Sequence, residues 1–309
     1  MTNALTATKP SFARLLASDK FIISAELTPP RHYDLTKFME SARIVNEYVD
    51  VVQLNDHLLS RARMSNLVPG MHLKQMGMEP ILQFTLRHRN RIALQGDLLG
   101  FANLGLENII ILGGYPCSIG TDPVAKDATD LGSVEAIEKI AALTQRGELF
   151  NGDVISPAPK FTVGTIDFPC KPEKMEESFE RLELKIAGGA TFIQVQAIFE
   201  LESMAMWMKE VVRRGLHKKA RFIGAVFPFS GAERLHVLKE IPGLTIPDNL
   251  LQRIESNNSE AESLAITLDL INGIRDIEGI SGLHIRSIGA EDWVPRIITA
   301  AGLGGELVY

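Results

Sequence analysis

Cysteine is scarce in this chain. Its 309 residues hold two, Cys117 and Cys170, too few for a disulfide framework. No C-x-x-C or His/Cys spacing suggests zinc, so no metal is expected. Reduced thiols in a cytoplasm are the expected state. Positive charge is not in excess either. A net charge of −6 displays no basic face for a nucleic acid. No stretch has the length and apolar character of a membrane span, and residues 1–10 carry no run of signal-peptide type. A soluble, cytoplasmic protein is expected, with no membrane partner, a loose segment over 1–18 and one domain over 19–309. Also missing are a P-loop, a Ser/His/Asp constellation and a G-x-G-x-x-G after the first strand, which lowers the case for kinase, hydrolase and open dinucleotide-binding folds.

What is present is alternation. Short runs rich in Ile, Val and Phe fall at 21–27, 49–54, 80–85, 108–112, 161–166, 192–196, 221–226 and 282–287. Amphipathic stretches separate them, many ending at a glycine such as Gly77, Gly105, Gly147 or Gly215, the residue that best tolerates the left-handed end of a helix. Eight buried strands alternating with helices predict an α/β protein, a single-domain eight-fold β/α (TIM) barrel. In such a barrel the reactive groups sit where strands end and the following loops begin.

The strand ends carry one well-placed acid, several amides and many aromatics. Glu26 stands where the first run opens into Leu27-Thr28-Pro29-Pro30-Arg31. A carboxylate at such a boundary needs a partner or a raised pKa; a structural tie to an arginine such as Arg31 is the plainer alternative. Strand two ends in Asn55, Asp56 and His57, strand three in Gln83 and then Arg87, His88 and Arg89. Gln194 and Gln196 are two apart and so share one face of their strand. With Gln83 they suit the edge of a heteroaromatic ring, since an amide both donates and accepts. Gly113-Gly114 allows close approach of a planar group or marks a tight turn. Arg87, Arg89 and Arg91 suit an anion, or an exposed helix start. Asp56 can pair with them or with His57. A second basic cluster, Arg213-Arg214 to Arg221, reads first as a solvated helix end and second as a phosphate or polyglutamate contact.

The order of these motifs resembles the methylenetetrahydrofolate reductase family. The resemblance lies in Glu26-Leu27-Thr28-Pro29-Pro30-Arg31, in Arg89–Gly100, and in 75–85, 106–113 and 188–200, and it runs from Phe21 to about Ser287. It implies an eight-fold barrel with FAD at the strand C-termini, and hydride passing from NADH or NADPH through the flavin to 5,10-methylenetetrahydrofolate in methionine biosynthesis. It makes Glu26 the general acid that protonates folate N10, a role that needs a protonated carboxyl near neutral pH. It assigns Gln196, Phe229 and Arg286 to the folate. To the flavin it assigns Asn55, Gln83, Gly113, Gly114, Tyr115, Ala128, Thr165, Phe168, Arg181 and Lys185. Two positions depart from the family: Gly114-Tyr115 stands where a Gly-Asp pair is usual, and strand eight offers Arg286 in place of a neutral side chain. A flavin-free reductase of the same fold, and a folate-binding or electron-accepting subunit that needs a partner protein, are the alternatives this motivates. Self-association stays open.

Overall fold

A computed structural model describes residues 9–170, 172–197 and 199–303. In chain order the elements are α1 (Phe12–Leu16), β1 (Ile22–Leu27), α2 (Thr36–Tyr48), β2 (Val51–Leu54), α3 (Leu67–Gln75), β3 (Ile81–Thr85), α4 (Arg91–Asn103), β4 (Asn108–Leu112), α5 (Ser133–Arg146), β5 (Thr162–Asp167), α6 (Met175–Ala187), β6 (Phe192–Val195), α7 (Leu201–Arg213), β7 (Arg221–Val226), α8 (Gly231–Lys239), α9 (Asp248–Ser256), α10 (Glu260–Arg275), β8 (Ile280–Ile285) and α11 (Trp293–Ala300). All eight strands pair in parallel and close in sequence order, with β8 against β1. The chain is a single-domain α/β TIM barrel.

Alternation along each strand divides the side chains between two environments. Ile23, Ala25 and Leu27 of β1 face the helices, as do Leu82 and Phe84 of β3 and Leu283 and Ile285 of β8. The other face points into the barrel and changes character with height. Ile22, Val51, Ile81, Ile110, Phe192 and Ile223 form an apolar floor. Above it stand buried polar groups, among them Ser24, Gln53, Gln83, Gln194 and His284. Glu26, Asn55, Thr85 and Arg286 follow at the strand C-termini. The floor gives the interior its packing, and the upper layers give it chemistry. The fold tolerates so many buried polar groups only where they bond to one another or to a ligand.

The segment expected to be loose is partly ordered. Residues 1–8 lie outside the described residues, but Ser11 caps α1, and Phe12 and Leu15 of that helix are buried against the floor. Phe12 meets Phe192 edge to face, with ring centroids 4.9 Å apart, and its N–H donates to Glu79 at 3.1 Å. The reason is the open lower end of the barrel, whose apolar layer needs a lid. Phe12→Ala is therefore expected to lower stability by about 3 kcal/mol. A fall in urea midpoint at unchanged slope checks this.

Candidate active site

A cavity of about 590 Å³ opens at the C-terminal ends of the strands, lined by the polar upper layers and the loops above them. That size suits a small-molecule ligand. Its deepest acid is Glu26, which has no exposed surface. Ser287 Oγ donates to the Glu26 carbonyl at 2.5 Å and fixes the backbone. Asn55 Nδ2 donates to one carboxylate oxygen and Gln83 Nε2 to the other, both at 3.2 Å. His284 Nε2 lies 3.7 Å and Arg286 Nε 3.9 Å from Oε2. His284 Nδ1 is 2.8 Å from Ser24 Oγ, and burial lowers the imidazole's pKa, favouring the neutral ring. Glu26 thus heads a line of polar groups running to Ser24.

The charge state of Glu26 differs from the expectation. Burial raises its pKa, but Arg286 and the His284 and Asn55 contacts outweigh burial and pull it down to about 2. The carboxyl is ionised at neutral pH, not protonated, and its partner is Arg286 rather than Arg31. A pKa lowered by folding means the native state binds fewer protons. The stability so gained is complete above the ordinary value of 4.5 and fades as pH falls towards 2. Relative to Glu26→Gln, the wild type is expected to lose on the order of 3 kcal/mol across that acid window. Urea unfolding at stepped pH reads this; parallel curves for the two proteins would contradict it.

On the opposite wall Lys185, from α6, reaches β5. Its ammonium donates to Ile166 O and to Asp167 Oδ2, both at 3.0 Å. Both side chains are buried, at 7% and 2% exposure. Lys185, which the resemblance assigns to the flavin, near its phosphate or ribityl side, is thus already paired, and Asp167 adds a negative charge beside it. Tyr115 extends from the β4 loop across the mouth, and its OH donates to Pro242 O at 3.3 Å. Burial raises its pKa, so the phenol is neutral. Gly114 precedes it with φ +83°, and a Cβ there would run into the γ-methyl of Thr85. Gln83, Thr165, Gly113 and Gly114 line the cavity where a ring can lie. On the phosphate side Asp167 occupies Lys185, so an acid stands where a flavin phosphate would need a free cation.

The loop after β2 forms a third wall. His57, Leu59 and Ser60 hold φ of 45°, 55° and 52°, a left-handed region that costs such residues of order 1–3 kcal/mol each. The strain is held by Ser60 Oγ donating to Tyr115 O at 2.7 Å and by Arg63 N–H donating to His57 Nδ1 at 3.2 Å. His57 and His88 pack edge to face above it.

Of the assigned residues, Glu26, Gln83, Gly113, Gly114, Tyr115, Thr165, Phe168, Arg181, Lys185, Gln196 and Arg286 all line the cavity. Asn55 stands behind this wall and donates to Glu26. Ala128 does not line it; its N–H donates to Arg87 O at 2.8 Å and braces a loop. Phe229 is a correction. It is 1% exposed and packs on Phe199, because its strand-end segment turns it towards the helices. The three arginines after β3 face acids, not an anion site: Arg87 pairs with Asp127, Arg89 with Asp56 and Asp97, Arg91 with Glu135. Arg213 and Arg214 pair with Glu210, and Arg214 also with Glu176 and Glu183. His284 and Asp167 carry site geometry that strand-end inspection alone did not assign; the signal available was inward alternation from a neighbouring polar residue. Among the described residues no His/Cys/Asp/Glu group is placed to hold a metal, and no helix is long and apolar enough to cross a membrane.

A closed parallel barrel with a buried, amide-flanked acid under a cavity at its strand C-termini is a β/α-barrel protein built around a small-molecule site. Residues 11–302 match the methylenetetrahydrofolate reductase family, and the chain belongs to it. Among solved structures, the chain is similar to a protein from Clostridium thermocellum that binds two copies of 5-methyl-5,6,7,8-tetrahydrofolic acid. Identity is 15% and the TM-score 0.66, over 94% of this chain and 99% of that one. It is also similar to a riboflavin lyase holding modified FMN and riboflavin, at 8% identity and TM-score 0.51, over 93% of each chain. At these identities the likeness is one of fold.

Proposed function

We propose that this chain is a one-carbon folate oxidoreductase that reduces 5,10-methylenetetrahydrofolate to 5-methyltetrahydrofolate with hydride from a reduced nicotinamide. The observation that carries the reading is Glu26, a fully buried carboxylate below the cavity, flanked by two amides, a histidine and an arginine. In the reaction the bond from the bridging carbon to N10 breaks, and N10 takes a proton from the Glu26 carboxyl. The carbon is left as an iminium on N5 and accepts hydride from nicotinamide C4. One proton and one hydride enter, and the oxidised nicotinamide leaves. Gln194 and Gln196 line the cavity, where their amides can orient the pterin edge. Family membership supports the substrate class, and the relative that binds 5-methyltetrahydrofolic acid is consistent with it.

The route runs directly from nicotinamide to folate in this proposal, because Lys185 is occupied by Asp167 and Tyr115 crosses the mouth. The family's FAD-dependent route is the second reading, favoured by Gln83, Thr165 and the Gly113-Gly114 pair along the ring side of the cavity. The two separate on the visible spectrum of the purified protein with turnover measured alongside. Turnover without flavin absorbance supports the direct route; turnover that requires added FAD supports the second. Asp167→Asn releases Lys185 for a charge-assisted bond to phosphate, and is expected to raise FAD affinity about tenfold. Fluorescence titration with FAD reads the change.

A further inference from the structure

As an acid, Glu26 needs a proton that the free cavity denies it. The groups facing it come from four strands. Asn55 and Gln83 are neutral amides, and His284 is a buried neutral ring. Glu291, after β8, and Tyr115, after β4, sit further out and supply no positive charge. Among the described residues Arg286 is the one fixed cation beside the carboxylate.

Arg286 is held in an unusual way. Its backbone N–H is tied to Val226 O at 2.9 Å, but its head is loosely bonded. The guanidinium lies over the Phe227 ring, 5.3 Å from the centroid. Nη1 reaches Gln196 Oε1 at 3.4 Å, and Nε, 3.9 Å from Glu26, has no hydrogen-bond partner among the described residues although it is buried. Both polar contacts are at or beyond the weak limit for such bonds. A planar cation on an aromatic shelf with five donors and few good acceptors can slide at little cost.

We infer that Arg286 is a positioning residue whose guanidinium, held between Glu26 and the Gln196 amide, ties the charge on Glu26 to ligand occupancy of that amide. A pterin N–H that donates to Gln196 Oε1 competes with Nη1 for the acceptor, and a pterin carbonyl or tail carboxylate offers the guanidinium a better partner. Drawn away, Arg286 no longer balances the carboxylate. Burial then dominates, and Glu26 takes one proton from solvent, the proton that N10 receives. This rests on the folate reading above. It makes substrate entry the event that arms the acid.

The test is calorimetric titration of 5-methyltetrahydrofolate into the protein at pH 7, in two buffers of different ionisation enthalpy. The wild type is expected to take up about one proton per ligand bound. Glu26→Gln should abolish the uptake. Arg286→Met should bind with uptake near zero, because its carboxyl is already protonated, and Arg286→Lys should restore the uptake. Wild-type binding without proton uptake overturns the inference, as does unchanged uptake in Arg286→Met. The wild-type and Arg286→Lys arms decide it even where Arg286→Met does not fold. A protein that turns over the folate without uptake refutes the inference alone. One that binds with uptake but never reduces the folate refutes the proposed reaction alone. Absence of binding overturns both.

Discussion

Glu26→Gln is expected to lower reduction of 5,10-methylenetetrahydrofolate by about a thousandfold, within the range for removal of a positioned acid. Glutamine keeps the shape and the contacts with Asn55 and Gln83, whose amides can flip to suit it. It has no ionisable proton to give N10. Affinity for 5-methyltetrahydrofolate should be kept or improved, since the loss is one of transition-state stabilisation and the variant needs no proton uptake to bind. Steady-state kinetics with a binding titration separate the two. An equal loss in binding would make Glu26 a ligand anchor instead of an acid, and full turnover would remove it from the chemistry.

The second large effect is on stability. Asp56 is buried at the end of β2 with 1% side-chain exposure, and Arg89 beside it has 8%. Arg89 donates to both oxygens of Asp56, with Nη2 to Oδ1 at 3.2 Å. The Thr85 N–H donates to Oδ2 at 2.8 Å. Asp56→Ala leaves a buried guanidinium with Asp97 as its one remaining acid among the described residues, and an unpaired backbone N–H at the end of β3. About 4 kcal/mol of stability should be lost. The double variant Asp56→Ala, Arg89→Met should recover most of it, because removing both charges removes the unpaired one. Denaturant unfolding of the two proteins reads the contrast. A loss under about 1 kcal/mol in the single variant would mean that water reaches the pair.

Much of this architecture was legible in the chain. The eight apolar runs became the eight strands, and the turn glycines fell at helix ends, because a barrel strand buried on both faces writes itself as a continuous apolar run. Three helices were harder to read. α1 has five residues, too short for a periodic pattern. α11 carries Pro295 within its first turn, where a missing N–H costs little but the letter reads as a break. α9 starts at Asp248 directly after a proline and was hidden by the loop-like composition before it.

At the site, position was legible and charge was not. Glu26, Gln83, Gln196 and Arg286 could be placed at strand ends one by one. The ionisation of Glu26 depends on β8 closing against β1, which brings His284 and Arg286 beside a residue some 260 positions earlier. Burial alone argues for a raised pKa; the partners reverse its sign. The pairing of Lys185 with Asp167 was equally hidden, since a helix residue reaches back across its own loop to the preceding strand. Phe229 misled because its neighbours on the strand end are site-like while its own ring faces the helices.

The most direct test uses reduced nicotinamide deuterated at the transferred C4 position, with 5,10-methylenetetrahydrofolate and the purified protein. Direct transfer should place one deuterium in the methyl group of the product with little loss to solvent. Unlabelled 5-methyltetrahydrofolate would point to an intermediate carrier whose hydrogen exchanges with water. No 5-methyltetrahydrofolate with either NADH or NADPH, whether or not FAD is added, would contradict the assignment of this chain as a folate reductase.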